Sequence, residues 1–112
     1  MKKISDPYIT DIIDSINKIF DYMEEINYDK KLFWEDTEKQ DAVIRRLEII
    51  GESTKRIEED FKKQFNNIPW KRMSGLRNVL IHEYDRIDLE LVWEVVVKDL
   101  PELKEMIIES NT

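Results

Sequence analysis

Apolar residues recur at three- and four-residue intervals near the start of this chain: Ile9, Ile12, Ile13, Ile16, Ile19, Phe20, Met23 and Ile26. That period draws one stripe along an α-helix of about 20 residues, whereas a strand would need strict alternation. Asp6-Pro7 stands in front of the stripe. A carboxylate there serves as N-cap, and proline suits the first helical position, where its missing N–H costs nothing. The chain of 112 residues has two glycines and three prolines, too little turn chemistry for a β-sandwich or barrel.

The helical period returns further on. Asn27 to Asp36 breaks it and is expected to form a loop with a short turn. Thr37-Glu38-Lys39-Gln40 fits a capping box. Val43, Leu47, Ile50, Thr54, Ile57 and Phe61 then predict a second helix running to about Lys63, with Gly51 inside it. A close helix crossing would account for that glycine. Asn66-Asn67-Ile68-Pro69 ends this helix, and Pro69-Trp70 opens a third that reaches about His82 or Glu83. Asp88 caps a fourth, Leu89 to about Lys98, and Asp99-Leu100-Pro101 resets the chain for a short fifth. The expected fold is all-α, an up-and-down bundle of four main helices plus a short C-terminal helix, with residues 1–112 forming a single domain.

Composition excludes several kinds of chemistry. No cysteine is present, so disulfides, thiolate nucleophiles and Cys-ligated metals are ruled out. One histidine rules out a multi-His metal site within one chain, and no cofactor is expected. No apolar run approaches the ~20 residues of a membrane span, and no signal-peptide core follows the polar start. The expected setting is a soluble, cytoplasmic one.

The fourth helix is apolar nearly all round: Leu89, Leu91, Val92, Trp93, Val95, Val96 and Val97. One face can point into a bundle, and the other needs a cover. Either a homodimer interface or neighbouring helices of the same chain would supply it.

Net charge is −7, but it is unevenly spread. Residues 45 to 77 carry nine basic and five acidic side chains, leaving the remainder strongly acidic. On the second helix Glu52–Arg56, Glu58–Lys62 and Glu59–Lys63 are i,i+4 pairs of the kind found on any solvated face. Lys71, Arg72 and Arg77 belong to the third helix and are candidates for contact with a phosphate backbone.

The chemically richest stretch is Arg77-Asn78-Val79-Leu80-Ile81-His82-Glu83-Tyr84. On an ideal helix Arg77 and Tyr84 project about 20° apart, and Asn78 and His82 share a face. Arg77 and His82 would be separated by about 140° and a rise of ~7.5 Å, able to flank a phosphodiester lying along the helix. Arginine offers a fixed, planar cation for phosphate oxygens, and histidine exchanges protons near neutral pH.

Arg77, His82 and Tyr84 form R-x-x-x-x-H-x-Y, which resembles the signature of the HEPN superfamily. Gln40-Asp41-Ala42-Val43, Glu48-Ile49-Ile50-Gly51-Glu52, Ile68-Pro69-Trp70, Gly75-Leu76-Arg77-Asn78, Asp88, Trp93 and Leu100-Pro101-Glu102-Leu103 narrow the match. Together they resemble the small HepT-like toxins paired with minimal nucleotidyltransferase (MNT) antitoxins. Ser53 stands where that group often has alanine, and Leu76 where it often has methionine. The resemblance implies a homodimeric, HEPN-like helical ribonuclease, with Arg77 and His82 catalytic, Asn78 supporting the site, and an RNA substrate. It also implies silencing by an MNT-type nucleotidyltransferase antitoxin that transfers AMP to Tyr84. RNA cleavage through the 2′-hydroxyl benefits from a base and an acid. The second group is either His82 of a second copy, or Glu83 or Tyr84. Two other readings stay open: a non-catalytic subunit that binds a nucleotide or a nucleotidyltransferase, and a structural helical dimer.

Overall fold

Four helices begin at an aspartate whose side chain satisfies an orphan N–H group. The computed structural model describes residues 6–76 and 87–110. Helix α1 (Pro7–Glu25) starts from Asp6, whose carboxylate accepts from the Tyr8 N–H at 2.7 Å, with Pro7 at the first position as expected. It ends in a Schellman motif: the Tyr28 N–H donates to the Met23 carbonyl and the Asn27 N–H to that of Glu24, both at 2.9 Å. Asn27 and Tyr28 take left-handed backbone conformations, each with φ of 53°.

The segment expected to be a loop contains a helix, α2 (Lys30–Glu35), capped by Asp29. Six residues are too few for periodicity to reveal, and Phe33 is its only buried side chain. Helix α3 (Thr37–Arg56) is capped by Asp36 rather than Thr37: its carboxylate accepts from the Lys39 N–H at 3.0 Å. The expected capping box is therefore absent. Gln40 instead donates to the carbonyls of Phe33 and Trp34, closing the end of α2.

Helix α3 stops short of the expected Lys63. Ile57 and Glu58 are extended, and a separate helix α4 (Glu59–Gln64) follows. The break keeps Ile57 in the core and turns Phe61 toward Phe65 and Trp70, at ring-centroid distances of 5.0 and 6.3 Å. Helix α5 (Trp70–Ser74) starts at Pro69 and closes at Gly75, so the third helix is interrupted early; its expected continuation to His82 lies outside the described residues.

Asp88 caps α6 (Leu89–Glu94) through the Leu91 N–H at 3.1 Å. The chain is not reset at Asp99-Leu100-Pro101. A π-helical turn (Val95–Asp99) leads directly into α7 (Leu100–Ser110), and the Leu100 N–H reaches back five residues to the Val95 carbonyl. Pro101 lacks an N–H, and its ring crowds the carbonyl four residues earlier. The wider turn accommodates it without ending the helix.

The core lies mainly between α1 and α3, with α5 packed on α3 and α7 on α1. Ile12, Ile16, Ile19 and Met23 face Val43, Leu47 and Ile50 across that seam, all fully buried. Gly51, Ser53 and Thr54 are buried at the end of α3, and the Thr54 hydroxyl donates to the Ile50 carbonyl at 2.7 Å. A cluster of Phe33, Trp34 and Trp93 joins α2 to α6, aided by a 3.0 Å ion pair between Lys30 and Glu90. None of the seven apolar residues of the fourth helix is exposed: Val92, Val95 and Val96 are buried, the other four half-buried. The chain itself thus covers much of that surface. No β-strand occurs among the described residues, and the fold is the expected all-α, HEPN-like bundle.

Candidate functional site and its approach

Arg77, Asn78, His82 and Tyr84 lie outside the described residues, so the site is defined here by what brackets it. On the N-terminal side, Trp70, Met73 and Leu76 are buried at three-residue spacing and anchor the chain entering the signature. On the C-terminal side, the Asp88 cap and buried Val92 anchor the chain leaving it. Trp70, Met73, Leu76 and Val92 all belong to the packed core.

Trp70 does more than fill space. Its indole N–H donates to the carbonyls of Lys62 and Phe65, at 3.2 and 3.0 Å. Those carbonyls come from the last turn of α4 and its cap, where helix geometry leaves acceptors without partners. The Pro-Trp element of the sequence is thus the joint between α4 and α5.

The two expected RNA-contacting residues separate. Lys71 is exposed. Arg72 is also exposed, but its guanidinium meets the Asp99 carboxylate at 2.6 Å, tying α5 to the π-helical turn. Lys62 and Lys63, read from the sequence as charges on the solvated face of a long second helix, sit instead on α4 beside Lys71. All three line a depression of about 410 Å³ together with Asn66 and Trp70. Lys62 pairs with Glu59, 3.5 Å away, and not with Glu58, whose extended backbone forms the N-cap of α4. The signal that could have revealed this grouping is Ile57-Glu58-Glu59-Asp60, where an acidic run restarts a helix at its N-terminus.

Among the described residues, no three His, Asp or Glu side chains converge to hold a metal ion, and no helix is long and apolar enough to cross a membrane.

Comparison with known proteins places these features in context. Residues 12–110 match the family model described as HepT-like, "Ribonuclease HepT-like". "Putative RNase MJ1380" of Methanocaldococcus jannaschii is 43% identical over 97 residues, covering 87% of each chain. "Probable ribonuclease HepT" of Thermococcus cleftensis is 41% identical over 104 residues, covering 93% of each. No solved structure matches the chain significantly. The match spans α1 to α7 and includes both anchors and the R-x-x-x-x-H-x-Y string between them, and on this basis the chain belongs to the HepT-like ribonuclease family.

Proposed function

We propose that this protein is a metal-independent endoribonuclease toxin that cuts RNA at a site built from Arg77, Asn78 and His82. The observation that carries this reading is the family match over residues 12–110, which spans an intact R-x-x-x-x-H-x-Y at 77–84. In this reading the 2′-hydroxyl of the RNA attacks the adjacent phosphorus and the bond to the 5′-oxygen breaks. The products are a 2′,3′-cyclic phosphate and a 5′-hydroxyl. One proton leaves the 2′-oxygen and one must reach the departing 5′-oxygen; His82 moves one of them. Arg77 stabilises charge on the transferring phosphate, where a fixed, partly desolvated cation acts strongly. Asn78 supports the site as a polar neighbour. The reaction should persist in excess chelator.

A homodimer, with the signature segments near its axis, would bring two copies of the single histidine together. Sedimentation equilibrium at micromolar concentration tests this: a species of twice 13.6 kDa is expected, and a clean monomer contradicts it.

The regulatory partner in this reading is an MNT-type nucleotidyltransferase that attaches AMP to the Tyr84 hydroxyl in the cytoplasm. The transfer breaks the α–β phosphate bond of ATP, releases pyrophosphate and leaves a phosphodiester on the phenol. The added phosphate would occupy the place of the RNA backbone and repel it. Intact-mass measurement after co-expression with such an enzyme should show added AMP, mapped to Tyr84 and absent in Tyr84→Phe. A neutralised toxin with no added mass contradicts the modification. For the cleavage itself, Arg77→Lys keeps the charge and loses the planar fork, so activity should fall steeply with the fold intact.

A further inference from the structure

Lys62, Lys63 and Lys71 rim the depression between α4 and α5, with Glu59, Asn66 and Trp70 also lining it. The bonds from the Trp70 indole to the Lys62 and Phe65 carbonyls hold the two short helices together and so set the backbone positions from which these lysines extend. Their charges are used differently. Lys62 is paired with Glu59, and Arg72 next door is taken by Asp99. Lys63 and Lys71 are exposed and make no ion pair among the described residues.

In a chain of net charge −7, two uncommitted ammonium groups on one depression favour a polyanion over a neutral ligand. A depression of about 410 Å³ exceeds what one phosphate fills. Lysines are compact charges on flexible stems, suited to phosphates whose positions vary, and the Asn66 amide adds a donor and an acceptor for sugar or phosphate. Contacts of this kind position a nucleic acid without reading its sequence. Lys71 also precedes Arg77 by only six residues, on the anchored approach to the signature. We propose that Lys63 and Lys71, with Asn66, form an exosite that holds the phosphate backbone of single-stranded RNA away from the bond being cut. This rests on the ribonuclease reading, and it assigns the contact to Lys71 and α4 while leaving Arg72 as a structural link to Asp99.

The test is fluorescence anisotropy with a labelled single-stranded RNA whose riboses are 2′-O-methylated to block cleavage, titrated between 50 and 200 mM KCl. Each phosphate contact on a single strand contributes about 0.7 to the slope of log Kd against log salt concentration. Lys63→Gln/Lys71→Gln should lower that slope by about 1.4 relative to the wild type. Arg45→Gln/Lys55→Gln removes the same charge from exposed positions on α3 and should leave the slope unchanged. Glu59→Gln releases Lys62 and should tighten binding, raising the slope by up to about 0.7. Equal behaviour of the two double variants would mean that net charge alone governs binding and would overturn the exosite. A wild-type protein that cleaves RNA, with a slope unmoved by Lys63→Gln/Lys71→Gln, overturns the exosite and leaves the ribonuclease standing. A wild-type protein that neither binds nor cleaves RNA removes both.

Discussion

Replacing Trp70 by phenylalanine tests the joint between α4 and α5. The indole N–H is shared between the Lys62 and Phe65 carbonyls, so its loss costs roughly one hydrogen bond, about 1 kcal/mol, with two partly buried acceptors left to water. Trp70 is 8% exposed, so the missing ring also leaves unfilled space. Removing roughly 40 Å² of buried apolar surface at about 25 cal/mol per Å² adds about 1 kcal/mol. The edge contact with Phe61 survives in outline, because phenylalanine keeps a six-membered ring near the same place. The expected loss is about 2 kcal/mol, equivalent to a fall in Tm of roughly 8 °C for a chain of this size. Urea unfolding followed by circular dichroism at the helix band measures it without relying on tryptophan fluorescence. A loss below about 0.5 kcal/mol would refute the claim that this indole joins the two helices.

Other consequences follow from the helix ends. Asp36→Ala should cost about 1 kcal/mol in the same urea assay, because the Lys39 N–H loses its acceptor, whereas Thr37→Ala should cost only a few tenths. Asn27→Gly should stabilise the protein by about 0.5 kcal/mol, since glycine adopts the left-handed conformation at that helix end without a Cβ penalty. Burial, reinforced by Glu24 and Asp21, raises the Tyr28 phenol above its ordinary 10.0. That contribution to stability is whole below pH 10 and is lost as pH rises through the raised value, so Tyr28→Phe should flatten the alkaline limb of a stability–pH curve.

Much of this fold is legible in the residues because strong signals coincide. The isoleucine stripe of α1, the Asp6-Pro7 start and the Asp88 cap each join a period to a cap, and each stands in the structure as read. The departures occur where one local device served a purpose the period does not encode. The apolar spacing from Val43 to Phe61 runs unbroken through Ile57, yet the chain turns there so that Phe61 can meet Phe65 and Trp70. Asp29, Asp36 and Asp88 all cap helices in the same way, through the N–H three residues on, but only Asp88 stands directly before a long apolar run. Gln40 has the spacing of a capping-box partner to Thr37, yet its amide closes the preceding helix. The π-helical turn before Pro101 has no periodic signature at all. For the candidate site, residue identity and family resemblance supplied the signature, while the grouping of Lys63 with Lys71 depends on a helix break that spacing concealed.

If His82 moves a proton in RNA cleavage, its removal must slow the chemical step itself. The direct measurement is the single-turnover rate of cleavage of a 5′-labelled RNA by the wild-type protein and by His82→Ala, in EDTA, with product ends identified and folding checked by circular dichroism. Wild-type cleavage should leave 2′,3′-cyclic phosphate ends, and the folded variant should lose about a hundredfold or more in rate. Cleavage by His82→Ala at the wild-type rate, or wild-type cleavage that stops in EDTA and returns with magnesium, would contradict this mechanism.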